Sequence, residues 1–411
     1  MTTEIGRQAT EKTLSLAKKS GLDISGGRIR RTSSRFCLGV EHGDYNGTDL
    51  FGVGTDRFIW LAYKPNGSGR IRLISANFPE NGVVDFRPGE IPLPRSPETA
   101  ATWARFPFGV DYILRREGFP LSTGLDGVIW GNIPGGGMSR SASLTLNLIL
   151  TLLEINGLGV ADPFQMVDMA QAVENDYIGS PCGQLDQIMI LFAREGMGTH
   201  YNPKTRTVAY IPLGGEADFR LISLDTGTDR PGLEKSTYRI RRAECEQLAG
   251  LLKEKYGFEH LADIKEPSQY KEITNTHRSL HPHLCDRLDY IYHAQRRFTS
   301  MLEAWKKGDV KTLGLIFRED GIGLRDRYKI SGPEMETMCD IARTVEGVYG
   351  ERMLGGGDKG AAGALVSPSG VNALKKAVET AYPRSHPEYA EKYSLHVLRM
   401  VKGVQLLENR F

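Results

Sequence analysis

Arg35, Glu41, His42 and Asp44 fall within the short stretch SSRFCLGVEHGDYNGTDLFGVGTDR. A guanidinium, an imidazole and two carboxylates this close together offer hydrogen-bond donors and acceptors at once, as a polyhydroxylated ligand requires. A second chemistry-bearing stretch is IPGGGMSRSAS, in which Gly135, Gly136 and Gly137 precede Ser139, Arg140 and Ser141. Consecutive glycines allow positive φ and let backbone N–H groups approach a ligand without a Cβ in the way. The first turn of a following helix adds free N–H donors and the positive end of its dipole, which together suit an anion. Serine hydroxyls there can hydrogen-bond phosphate or ligate Mg²⁺. A plain glycine-rich turn capped by Ser139 or Ser141 is the alternative. No G-K-[ST] follows the glycines, so the loop is not a Walker A motif. The third stretch, VENDYIGSPCGQLDQIM, places Glu174 before a Cys182-Gly183 turn and Asp186 just beyond it. The later carboxylate could take a proton from a hydroxyl, and the earlier one could hold a metal.

These groups need a scaffold, and the periodicities indicate one. Up to about residue 130, short β-like runs (FIWLAY, IRLIS, GVVDF) alternate with Gly, Pro and Asn, which predicts a sheet of hairpins. GEIPLPRSPET reads as a surface loop. The run from Leu144 to Ile155 is apolar all round the helical wheel, so it predicts a buried helix directly behind the glycine loop. A second β-like region (THYNPKTRTVAYIPL, then FRLISLDTG) follows, and the chain is strongly helical from Ser236 to about Val348. The expectation is an α+β protein of two domains, 1–200 and 201–411, which the length of 411 residues also favours.

Composition narrows the partners. A net charge of +2 spread over 52 basic and 50 acidic residues argues against nucleic acid or a membrane. Five scattered cysteines without a C-x-x-C pair, and no signal-peptide pattern or membrane-span-length apolar run, predict a soluble cytoplasmic protein. His277, His281, His283 and Cys285 cluster in THRSLHPHLCD, but their spacing matches no common zinc site and Pro282 interrupts their helix. Gly355, Gly357 and Gly360 satisfy the letters of a dinucleotide fingerprint, yet too little chain follows for a dinucleotide half-domain.

IPGGGMSRSAS resembles the P-x-G-x-G-L-S-S-S-A-S loop of the small-molecule kinase superfamily that contains galactokinase, homoserine kinase and mevalonate kinase. Here the segment after Pro134 is one residue shorter, and Arg140 replaces the middle serine. SSRFCLGVEHGDYNGTDL resembles the galactokinase signature G-R-V-N-L-I-G-E-H-T-D-Y-N-G-G, with Ser34, Val40 and Gly43 as departures. VENDYIGSPCGQLDQIM is similar to A-E-H-x-F-x-G-x-x-C-G-I-M-D-Q, STYRIRRAECEQ to S-x-Y-x-x-R-R-x-x-C, and GLRDRYKISGPEMETM to S-L-R-D-x-Y-x-V-S-x-P-E-L. RMLGGGDKGAAGALV is similar to R-M-T-G-A-G-F-G-G-C-A, with Asp358 and Lys359 standing where that family has an aromatic and a glycine.

The resemblance covers nearly the whole chain in the correct order. It implies a two-domain kinase fold, with an N-terminal domain like ribosomal protein S5 domain 2 and a ferredoxin-like C-terminal domain. The implied reaction transfers the γ-phosphoryl group of MgATP to the anomeric hydroxyl of galactose or a close relative. Asp186 would accept the proton, and Arg35 would orient Asp186 and stabilise developing negative charge. Arg35, Glu41, His42, Asp44, Gly183, Asp186 and Tyr238 would line the sugar. Gly135, Gly136, Gly137, Ser139, Arg140, Ser141 and Trp103 would bind ATP, and Ser141 with Glu174 would hold Mg²⁺. Arabinose or galacturonate as the sugar, and a catalytically weak sugar sensor, are the alternatives. The protein is expected to be a monomer or small homo-oligomer.

Overall fold

The computed structural model of the chain describes residues 4–229 and 235–407. Its strands are β1 (Arg28–Gly39), β2 (Leu50–Asn66), β3 (Ile71–Ser75), β4 (Val83–Phe86), β5 (Gly124–Gly131), β6 (Met197–Asn202), β7 (Thr207–Pro212), β8 (Arg220–Asp225), β9 (Val348–Met353), β10 (Ala361–Val366), β11 (Ser394–Leu398) and β12 (Val404–Leu407). The helices are α1 (Glu4–Lys19), α2 (Arg105–Arg116), α3 (Arg140–Ile155), α4 (Pro163–Ala172), α5 (Leu185–Leu191) and α6 (Thr237–Tyr256). They continue with α7 (Pro267–His277), α8 (Pro282–Lys307), α9 (Val310–Gly323), α10 (Pro333–Arg343) and α11 (Val371–Ser385). No described helix is long and apolar enough to cross a membrane.

Two sheets carry the architecture. The first has eight strands in the order β12-β1-β2-β5-β3-β4, with the β6–β7 hairpin attached through β2. Every pairing in it is antiparallel except β3 with β5. That parallel step is made possible by α2, a crossover helix that the reading of this region as hairpins did not foresee. The second sheet is antiparallel in the order β11-β8-β10-β9, and α10 and α11 close its core with Met338, Ala342, Leu374 and Val378. This is the expected α+β class.

The apolar run behind the glycine loop forms α3, and Leu146, Leu148, Ile149 and Leu152 are buried in the main core. Its polar letters are buried too. Ser143 Oγ donates to the Thr32 carbonyl at 3.1 Å, and Asn147 Nδ2 donates to the Arg30 and Ile59 carbonyls at 3.3 and 3.2 Å. The β1–β2 register shifts between Ser33 and Ser34, so local ladder bonds are interrupted. The helix supplies donors to carbonyls beside that bulge, which fixes α3, and therefore the loop in front of it, against the sheet. Met335 and Met338, read as core-spaced, are fully buried on α10, and Pro282 opens α8 immediately after the α7 break.

Candidate active site

Both glycine loops meet at the junction of the two sheets. The first, Pro134–Ser139, joins β5 to α3. The second, 354–360, joins β9 to β10. A Cβ placed on Gly136 would lie 2.5 Å from the Gly360 Cα, and one on Gly355 would lie 2.7 Å from the Gly137 Cα. Only glycine allows two backbones to approach this closely. Gly137 and Gly355 also take positive φ, at 75° and 73°. Ser139 enters α3 with φ 62° and makes no capping bond to the helix, so the plain N-cap reading does not describe it. The loops form one end of a cleft of about 590 Å³.

Arg35 and Asp186 stand in the middle of that cleft. Arg35 projects from β1 and is 3% exposed, while Asp186 sits in the first turn of α5. The Arg35 Nε and Nη2 both reach Asp186 Oδ1, at 2.8 and 2.7 Å, and Nη1 donates to the Gly137 carbonyl at 2.6 Å. Burial alone would lower the Arg35 pKa, but Asp186 and Glu41 together hold it above the ordinary value. Asp186 Oδ2 is left without a protein partner among the described residues, on a side chain that is about one-third exposed to the cleft.

Beyond them lies a cluster from the first motif. His42 Nδ1 pairs with the Tyr45 hydroxyl at 2.8 Å, and Tyr45 with the Tyr328 hydroxyl at 2.7 Å. Tyr238, from the start of α6, packs against the His42 ring at 5.1 Å between centroids. Asp44 accepts from the Leu185 N–H at 3.2 Å, and burial pushes its pKa up to about 6. Gly183 lies so close that a Cβ there would meet Asp44 Oδ2 at 1.9 Å. Glu41 is buried and reaches across the sheets: Oε1 accepts from the Gly355 N–H, and the guanidiniums of Arg35 and Arg352 lie 3.8 and 3.5 Å away. Its Oε2 makes no hydrogen bond among the described residues, and Glu41 forms part of the cleft wall.

At the opposite end, Trp103, Phe106, Leu144 and Ile178 make an apolar wall. Glu174 lies on a π-helical turn, Val173–Ile178, which widens the helix and turns this carboxylate toward α3. It accepts a hydrogen bond from Ser141 Oγ at 3.1 Å. Arg140 folds back, donating to the Ile133 carbonyl at 2.8 Å.

The comparisons with known proteins agree with this geometry. Residues 108–194 match the family model described as GHMP kinases N terminal domain. The galactokinase of Lacticaseibacillus casei is 31% identical over 83% of this chain and 86% of its own. The chain belongs to the galactokinase family. A further galactokinase, from Streptococcus thermophilus, is 29% identical over 83% of this chain and 86% of that protein. The crystal structure of Lactococcus lactis galactokinase complexed with galactose superposes with a TM-score of 0.88 at 26% identity, over 97% of this chain and all of that one. The Methanococcus jannaschii mevalonate kinase shares the fold, with a TM-score of 0.62 at 15% identity over 91% of this chain and 98% of that one.

For this member of the galactokinase family, the residues that the resemblance assigns to sugar, ATP and metal all line one cleft: Arg35, Glu41, His42, Asp44, Trp103, the three glycines, Ser139 to Ser141, Glu174, Gly183, Asp186 and Tyr238. Lys359 does not line it. Asp358 takes φ 62° and its Oδ2 accepts from the Thr237 N–H at 2.7 Å, tying the second glycine loop to the start of α6. Sequence reading missed Arg352, which is fully buried behind Glu41, and the turn after β8, read there only as part of a β-like run.

Proposed function

We propose that the chain transfers the γ-phosphoryl group of MgATP to the anomeric hydroxyl of galactose. The observation that carries this reading is the Arg35–Asp186 pair, held by a buried guanidinium between a backbone loop suited to phosphates and a side-chain cluster suited to a sugar. Arg35 occupies one oxygen of Asp186 and leaves the other for the sugar hydroxyl. That hydroxyl gives its proton to Asp186 Oδ2 as its oxygen bonds to the γ-phosphorus, and the bond to the bridging oxygen breaks to release ADP. The Arg35 cation, fixed before the substrate arrives, offsets the negative charge that develops on the attacking oxygen. First-turn N–H groups of α3 and the neighbouring glycine N–H groups receive phosphate oxygens. Trp103 borders the purine, and its indole N–H has no partner among the described residues.

Ser141 and Glu174 fit Mg²⁺, because a hydroxyl and a carboxylate 3.1 Å apart are hard oxygen donors and Mg²⁺ completes its shell with water and phosphate. When bound there, the ion would neutralise charge on the β- and γ-phosphates.

Galactose leads because His42, Asp44 and Tyr238 supply acceptors and an aromatic face beyond the Arg35–Asp186 pair, and Glu41 adds a carboxylate to the same wall where it meets the second glycine loop. The same reading divides the chain into domains of residues 1–200 and 201–411, although β6 and β7, which straddle that boundary, hydrogen-bond into the first sheet. Five free, buried cysteines support a reducing, cytosolic setting. A coupled ADP-release assay with galactose, arabinose and galacturonate tests the proposal. Galactose should give the highest kcat/KM; a preference for galacturonate would show that Arg35 and Arg352 outweigh Glu41 in the pocket, and no sugar-dependent ADP release would overturn the reading.

A further inference from the structure

The turn Asp225-Thr226-Gly227-Thr228, at the end of β8, touches both glycine loops and lines no part of the cleft itself. Asp225 pairs with Ala361 of β10 and Ser394 of β11 in the second sheet, so its backbone is fixed on both sides. Asp225 is 6% exposed, and its carboxylate reaches the first sheet's loop, where Oδ2 accepts from the Gly135 N–H at 2.7 Å. Oδ1 accepts from the Gly227 N–H at 3.1 Å. The next residues hold the other loop. Thr226 donates from its backbone N–H to the Gly360 carbonyl at 2.9 Å and from Oγ1 at 2.5 Å, while Thr228 Oγ1 accepts from the Gly360 N–H at 3.1 Å. One four-residue turn thus sets the separation of the two loops.

We infer that Asp225 is a positioning residue for nucleotide binding: it clamps the first glycine loop to the second sheet and so shapes the phosphate cradle from outside. A carboxylate suits this task because it accepts on both oxygens and donates on neither. An amide would satisfy one N–H and turn its own NH₂ toward the other. Loss of the clamp releases the loop that must present its N–H groups in a fixed array, while the sugar cluster, which hangs on β1, α5 and α6, keeps its contacts. The inference rests on reading the cleft as a nucleotide and sugar site.

The experiment is calorimetric titration of the full chain with Mg–AMP-PNP and, separately, with galactose, for wild type, Asp225→Ala and Asp225→Asn. Asp225→Ala should weaken Mg–AMP-PNP binding about tenfold or more, and Asp225→Asn about threefold, as expected for losing both carboxylate hydrogen bonds, to Gly135 in the loop and to Gly227 in the turn, and for losing one of them. Galactose affinity should stay within about twofold of wild type in both. Equal loss of both affinities would reduce Asp225 to a general structural residue and overturn the inference. So would an unchanged Mg–AMP-PNP affinity in Asp225→Asn, the variant that decides the matter if Asp225→Ala does not fold. Failure of wild type to bind either ligand would instead overturn the parent reading of the cleft.

Discussion

The end of the cleft proposed to hold the sugar is built from side chains, and the end proposed to hold the phosphates from backbone. Around His42, Tyr45, Asp44 and Tyr238 the partners are hydroxyls, an imidazole, a carboxylate and aromatic rings, most of them bonded to one another. Around Gly135 to Gly137 the wall is main chain, and two loops from different sheets approach within backbone contact. The difference follows from the ligands. Stereoisomeric hydroxyls can be told apart only by donors and acceptors at particular points, whereas a polyphosphate presents repeated equivalent oxygens that N–H groups and a helix dipole can meet. Arg35 belongs to both ends, since it bonds Asp186 with one edge and the Gly137 carbonyl with another.

That bridging position makes the Arg35–Asp186 pair the place where the contrast breaks most severely. Asp186→Asn should lower kcat by roughly 10²-fold or more, the usual range for a lost general base, with galactose affinity much less affected. Steady-state kinetics beside galactose titration measure the split, and near-normal turnover would remove Asp186 from the chemistry.

Gly136→Ala probes the backbone end alone. The new methyl would stand 2.5 Å from the Gly360 Cα, so one loop must move, and overpacking of this kind costs about 1–3 kcal/mol. The KM for ATP should rise about tenfold, since each 1.4 kcal/mol is a factor of ten. The KM for galactose should hold; if both rise together, the two ends are not independent.

Glu174→Ala sharpens the picture of the metal. It should raise the Mg²⁺ concentration for half-maximal turnover about 10-fold, the lower part of the range for disturbing a metal shell. An unchanged Mg²⁺ titration assigns Glu174 only to holding Ser141.

The smallest expected effect lies at the side-chain end. Burial raises the Asp44 pKa to about 6. The folded state therefore keeps this proton longer than the unfolded chain does, so this group's contribution to stability falls as pH rises from about 4 to 6. Ionised, it accepts on both oxygens with a full charge, whereas the protonated acid turns one of them into a donor, so galactose affinity should improve a fewfold between pH 5 and 7. Asp44→Asn should flatten that pH dependence, and a dependence that persists would point to another group.

Gly183 and Asp44 show why some of this was legible in letters. The Cys-Gly turn, the Asp186 position and the E-H-x-D-Y-N stretch are short motifs whose spacing survives folding, and the apolar run of α3 declared its own burial through periodicity. Other elements declared less. The crossover helix α2 begins with RFPFG, whose proline and glycine suppress a helical reading although Val110, Ile113 and Leu114 bury one face. The π-helical turn that aims Glu174 has no propensity signature of its own.

Residue types and local spacing by themselves determined the donors, the acceptors, the flexible glycines and the buried helix, because those properties belong to a side chain or to a few consecutive dihedrals. Only the tertiary structure decided that Glu41 would reach Gly355, that Gly136 would lie on Gly360, and that Asp225 would hold Gly135. Each joins residues 90 or more positions apart, and such pairings depend on how the two sheets pack, a long-range outcome that local sequence does not encode.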